Sequence, residues 1–245
     1  MSNFDGALAS IAQVHGWLSR DQAERLWARA GDLRPQATIV EIGSFQGRST
    51  IVLALGSPAT TTVVAIDPHA GNDRGPQEIS GFAAEAASDH ETFLANLAAA
   101  GVAEKVTHLR AWSAEVADTF TQDIDLLYVD GAHRFAPARD DIRCWGAKVK
   151  PGGVLLIHDA YSSIGVTAAI ASTLWWSQQW SYEGRSRSLA QYRRGNFSLF
   201  QTAGSALRQK WQLGYFLRNL VYKVLLSAHL GTVARWLGSN GEWPY

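Results

Sequence analysis

A single cysteine, Cys144, leaves this 245-residue chain without an internal disulfide and without a cysteine-based zinc cluster. It reads as a buried thiol, compatible with a reducing compartment. No apolar run is long enough to span a bilayer, and no basic residue precedes Arg20, so the N-terminus lacks a secretory pattern and a cytoplasmic location is expected. Low-complexity tracts are missing too, and the formal net charge is +0, so no nucleic-acid partner is expected. That balance hides an asymmetry: residues 1–183 hold 21 acidic and 13 basic residues, whereas 184–245 hold 9 basic residues and Glu242 alone. The basic tail suits an anionic membrane surface, a phosphorylated ligand, the protein's own acidic body, or plain solvent. What the chain does have is ten tryptophans, more than packing requires, with carbohydrate faces and aromatic pockets as candidate uses.

The length suits one large α/β domain with elaborations. Ser19 and Gln22 have capping-box spacing and start a helix that stops at Gly31, within an N-terminal helical segment covering 1–36. Strands and helices then alternate. Thr38–Ile42, Val63–Ile66, Val106–Ala111, Leu126–Val129 and Val154–Ile157 read as strands; helices follow from about Ser49, over Glu91–Ala100, over Ala136–Lys148 and over Thr167–Trp176. Such alternation calls for a parallel, doubly wound sheet. Ser188–Arg193 and Asn196–Gln201, joined at Gly195, read as a terminal antiparallel hairpin closing a domain of residues 37–203. Within it, the polar segment 71–89 is long enough for a lid over a site. Beyond it, 204–245 forms a basic helical extension, with one long amphipathic helix from Ser205 to Leu230 carrying Leu213, Leu217, Leu220, Val221 and Val224 on one side. That face docks on its own domain by default, with a homodimer or a peripheral membrane contact as alternatives.

Chemistry gathers at strand ends, where open α/β sheets bind ligands. The run DLLYVDGAHRF ends an apolar strand in Asp130 and sets His133 three residues later. The strand GVLLI runs straight into His158 and Asp159. Neighbouring strands would bring these four groups to one edge, where they suit an oxygen-binding divalent cation beside a proton acceptor. The first strand ends in EIGSFQGRST, in which Gly43 and Gly47 let backbone approach a ligand, and Asp67 closes the second strand where a carboxylate can accept ribose hydroxyls. Glycine spacing here is not G-x-G-x-x-G, and Glu41 before the first glycine suits a cationic ligand better than a pyrophosphate.

Together VEIGSFQGRST, AIDPHAG, YVDGAHRF and PGGVLLIHD resemble the class I S-adenosylmethionine-dependent methyltransferases over roughly Ala37 to Gln201. The branch resembled contains sugar and macrolide-sugar O-methyltransferases, including mycobacterial methylmannose-polysaccharide enzymes. This resemblance implies a Rossmann-like sheet of order 3-2-1-4-5-7-6. It implies that Glu41, Gly43 and Ser49 line the methionine moiety, Asp67 the ribose, and Trp112 and Ser113 the adenine, with Asp130 also bordering the cofactor. In the metal-dependent members an acid and a histidine three residues on supply a magnesium ligand and the general base, the roles implied for Asp130 and His133. Two adjacent acids follow the fifth strand in those relatives, where this chain has His158-Asp159; Asp159 carries over as a ligand, and His158 either coordinates, favouring manganese, or holds the acceptor.

The expected reaction is methyl transfer to a hydroxyl of a saccharide or glycosylated metabolite, with His133 accepting the proton from a small-molecule or oligosaccharide acceptor. Trp175, Trp176, His69 and Tyr161 are candidates for lining its cleft. Two alternatives remain at this stage: a catechol-type O-methyltransferase, and a non-catalytic binding protein that keeps the fold.

Overall fold

The computed structural model describes residues 3–70 and 83–238, and the backbone alone for 83–87. Seven strands form one sheet: β1 (Thr38–Ile42), β2 (Thr62–Ile66), β3 (Val106–Leu109), β4 (Ile124–Val129), β5 (Val149–Ile157), β6 (Trp180–Ser186) and β7 (Leu189–Arg194). Their order is β3-β2-β1-β4-β5-β7-β6, with β7 alone antiparallel to its neighbours, so the expected Rossmann-like topology is present. The first five strands are parallel because each is followed by a helical crossover.

Alternation along the strands divides the core. Val40, Ile42, Leu127, Val129, Leu155 and Ile157 pack with α5 (Ser113–Ala117), α6 (Phe135–Gly146) and α7 (Ile164–Thr173). Ile39, Leu126, Tyr128, Val154 and Leu156 face the other way, toward α1 (Phe4–Ser10), α2 (Arg20–Gly31), α3 (Arg48–Gly56) and α4 (Ala83–Ala99). With both faces covered, the central strands read as continuous apolar runs, each fully buried aliphatic contributing roughly 1.5–3 kcal/mol.

At the start of α2 the Ser19 N–H donates to Gln22 Oε1 at 2.9 Å, the expected capping arrangement. Several expectations need correction. Of the lid placed at 71–89, residues 71–82 lie outside the described residues, and from Ala83 the chain is already in α4. The hairpin turns at Arg187-Ser188, not at Gly195: β7 pairs with Trp180–Ser186, and 196–201 leads into α8 (Leu199–Trp211). The long C-terminal helix is broken at Gln212 into α8 and α9 (Leu213–Ser227), followed by α10 (Gly231–Trp236). Of its expected apolar stripe Leu220 is half-buried but Leu213, Leu217, Val221 and Val224 are exposed, while Tyr215, Phe216, Asn219 and Tyr222 turn inward. Cys144 is exposed as well, since its neighbour Trp145 takes the inward position on α6.

Among the described residues no helix is long and apolar enough to cross a membrane.

Candidate active site

The turn after β1 is built around two carboxylates. Glu41 is fully buried and accepts hydrogen bonds from the hydroxyls of Ser49 and Thr50 on α3. Burial pushes its carboxyl up to about 8, because two neutral hydroxyl donors do not offset the lost hydration. Asp67, closing β2, accepts the N–H groups of Ser44 and Phe45 on Oδ2 at 2.9 Å each and that of His69 on Oδ1 at 2.8 Å. It therefore holds the glycine turn in shape and keeps a lone pair on Oδ1 for a further hydroxyl. Gly43 has φ +83°, and a Cβ there would meet the Asp130 carbonyl oxygen at 2.2 Å. Its missing side chain thus lets the turns after β1 and β4 touch, which locates Asp130 beside the first motif.

The second group lies one strand over. His133 Nε2 donates to Asp159 Oδ2 at 2.6 Å, while Tyr128 Oη donates to Asp130 Oδ2 at 2.7 Å. Between the acids, His158 Nδ1 sits 3.2 Å from Asp130 Oδ1 and 3.6 Å from Asp159 Oδ2, contacts of charge rather than aligned hydrogen bonds. Burial works against a charged His158, but the facing carboxylates of Asp130 and Asp159 outweigh it and hold the imidazole well above its ordinary value. Likewise burial would raise Asp159, and His158 and His133 together drive it far below the carboxylate range. His133 is pulled down by burial, yet the hydrogen bond and charge of Asp159 leave it raised. Backbone strain concentrates on the same edge: Phe45, His69, Asp159 and Tyr161 all hold positive φ between 45° and 57°, at a cost of about 1–3 kcal/mol each that marks over-determined functional turns.

Asp130, His133 and Asp159 each offer a ligand atom, and those atoms lie within 4.8 Å of one another. Asp159 Oδ1 is buried with no hydrogen-bond partner. Two carboxylate oxygens and an imidazole nitrogen, one oxygen left unsatisfied, fit a small divalent cation such as magnesium or manganese. With Nε2–H directed at Asp159, the His133 lone pair sits on Nδ1, and the side chain is 37% exposed, so it can meet a ligand.

Other expected site residues are placed differently. Trp112 is exposed at the start of α5, and the adjacent Ser113 Oγ donates to Asp141 Oδ1 at 2.5 Å. His69 is buried against Phe93, His90 and His108 on the β2–β3 side, its Nε2 on the Phe45 carbonyl at 2.8 Å, with β1 between it and Asp130. Tyr161 follows Asp159 but buries its ring in the core near Tyr192 and Tyr182. Trp175 and Trp176 come after α7, which runs away from the carboxyl end of β5; Trp175 packs on the core and Trp176 lies under Lys210. No described contact joins the side chains of His69, Tyr161, Trp175 or Trp176 to Asp130, His133 or Asp159.

Two residues escaped the sequence reading. Tyr128 lies two positions before Asp130 along the strand direction, a same-face spacing that could have flagged it. Asp141, pushed up to about 6 by burial despite its Ser113 hydrogen bond, gave no local signal because only the packing of α5 on α6 brings the pair together.

Comparison with known proteins agrees with this geometry. Residues 40–160 match a family model described as a methyltransferase domain. A cofactor-bound structure of Rv0187 from MTB superposes with TM-score 0.57 at 19% identity, covering 78% of this chain and 89% of that one. The O-methyltransferase TomG from Streptomyces achromogenes, involved in tomaymycin synthesis and solved with S-adenosylmethionine, gives 0.55 at 20% identity over 79% and 89% of the two chains. For the O-methyltransferase NovP the values are 0.57 and 16%, over 74% and 84%. A match to a methyltransferase domain over 40–160, on a seven-stranded sheet shared with solved O-methyltransferases, assigns this region the methyltransferase fold.

Proposed function

We propose that the chain methylates oxygen, on a hydroxyl of a saccharide or glycosylated metabolite, with His133 as the general base and a divalent cation held by Asp130 and Asp159. The observation that carries this reading is the Asp130–His133–Asp159 cluster at the adjoining carboxyl ends of β4 and β5. A neutral alcohol is a poor nucleophile, so removal of its proton must accompany attack. His133 serves that need: Asp159 fixes its ring through Nε2 and stabilises the imidazolium formed when Nδ1 takes the proton. A bound cation would supply Lewis acidity toward two neighbouring hydroxyls. His158, charged between the two acids in its absence, balances them; it would release its proton to coordinate, or stay charged as a hydrogen-bond donor. Near Gly43, Asp67 would accept the ribose hydroxyls of the cofactor and Glu41, protonated in its buried site, would ionise to meet the cationic methionine end, with Trp112 and Ser113 assigned to border the adenine.

Calorimetric titration tests the reading: S-adenosylhomocysteine first, then a sugar mixture with and without magnesium. Metal-dependent sugar binding to the cofactor complex supports it. Binding of S-adenosylhomocysteine with uptake of a catechol but no sugar would move the substrate to a phenolic diol, and no second ligand at all would favour a binding protein.

A further inference from the structure

α9 is apolar on two sides: Tyr215, Phe216 and Tyr222 pack inward, and a second apolar stripe faces outward. Leu217, Val221 and Val224, at the i, i+4, i+7 spacing of one helical stripe, are 59%, 48% and 59% exposed, while the polar Asn219 is fully buried and donates to the Tyr161 carbonyl. Neighbouring helices extend the same exposure: Phe200 is 89% exposed, Trp211 77% and Trp236 85%. Along the helices themselves the charge is of one sign. Residues 199–238 contain Arg208, Lys210, Arg218, Lys223 and Arg235 and no acidic residue, in a chain whose first 183 residues are net acidic. At 100° per residue Arg218 lies on one flank of the Leu217–Val221–Val224 stripe, whereas Lys223 turns inward to the Ser162 carbonyl. Long basic side chains beside an apolar stripe form the arrangement that lies in a headgroup layer with its apolar side in the acyl boundary.

We propose that α8, α9 and α10 form a docking surface for an anionic lipid bilayer, on which the protein lies without crossing it. Charge decides between this occupant and a second copy of the chain. An isologous contact would set this acid-free surface against itself, basic flank facing basic flank, with no counter-charge. An anionic bilayer meets both needs at once, apolar depth for the stripe and phosphate for the flanks. Docking there would put the active-site edge close to the lipid surface, because α9 is bonded to the loop after Asp159 through Asn219 to the Tyr161 carbonyl and Lys223 Nζ to the Ser162 carbonyl at 3.0 Å.

Flotation of the full-length chain with phosphatidylglycerol–phosphatidylcholine vesicles, against pure phosphatidylcholine vesicles and across a salt series, tests the proposal. Expected is binding to the anionic vesicles alone, weakened by salt, and reduced roughly tenfold or more in the double variant Leu217→Asp, Val221→Asp. A second variant, Lys210→Glu with Arg235→Glu, should weaken binding with the apolar stripe intact. Unchanged circular dichroism melting shows that neither variant has lost its fold. Sedimentation velocity completes the test: a monomer in every case agrees with the proposal. Failure to float with any vesicle, equal binding to neutral and anionic vesicles, or a dimer that the Leu217→Asp, Val221→Asp variant dissociates would overturn it.

Discussion

Glu41, near the end of β1, and Asp159, just beyond β5, are both buried, at 0% and 7% exposure, yet their acidities are driven in opposite directions. Glu41 faces the hydroxyls of Ser49 and Thr50 and is raised to about 8; Asp159 faces His133 and His158 and is depressed far below its ordinary range. Burial alone would have raised both, so the partner decides. Neutral donors leave a protonated acid at neutral pH, whereas imidazoles leave a carboxylate. The β1 end is therefore a neutral socket that a cationic ligand would ionise, and the β4–β5 end is charged before any ligand arrives.

The largest test of that contrast is Asp159→Asn. It removes the partner of His133 and one of the two carboxylates facing His158, so turnover should fall by about 10²–10⁴-fold, with a measurable loss of stability in urea unfolding as His158 keeps Asp130 alone. Near-native rates in a stable variant would sink the role given to the pair. His133→Ala should cost roughly 10²-fold in turnover with little change in cofactor affinity. In the native enzyme the rate should rise with pH through a limb above 6.5, because the base works only when deprotonated and Asp159 holds its pKa up. In Asp159→Asn any residual activity should show that limb moved to lower pH.

Glu41→Gln probes the other end. A carboxyl whose folded value is raised above 4.5 to about 8 contributes stability that is fully present below 4.5 and lost as pH rises through 8. Denaturation midpoints of the native protein should decline across that window, and those of the glutamine variant should stay flatter. Cofactor binding at pH 7 should release a proton from the native protein and none from the variant, read by calorimetry in buffers of different ionisation enthalpy; equal release from both would remove Glu41 from the cofactor's surroundings. Smallest is Ser113→Ala, expected to cost about 1 kcal/mol and to raise Asp141 further, since the lost hydrogen bond is what opposes burial there.

Legibility followed the range of the interactions involved. Asp130 and His133 could be singled out because a strand, a glycine turn and a three-residue spacing are local. Their pairing was not legible: His133 meets Asp159 and Tyr128 meets Asp130, so the acid and histidine of the motif are each satisfied by a different residue. The hairpin was misplaced because Gly195 is the obvious turn residue, whereas the structure turns at Arg187, with φ 47°, and gives Gly184 a φ of 118° at the register shift in β6. Trp175 and Trp176 show the same limit, since nearness in sequence to Asp159 says nothing of the direction α7 takes.

From the amino-acid order alone came the alternation of strand and helix, hence the parallel sheet, and the acids at its strand ends; burial on two faces and the right-handed crossover dictate these with no further information. Only the tertiary structure decided which partner each buried charge meets, and that the Leu217–Val221–Val224 stripe of α9 looks outward while Asn219 looks in. An amphipathic pattern says that a helix has two faces, but which face lies inward depends on what the fold presents to it: here the Tyr161 carbonyl on the inner side needs a polar donor more than it needs leucine.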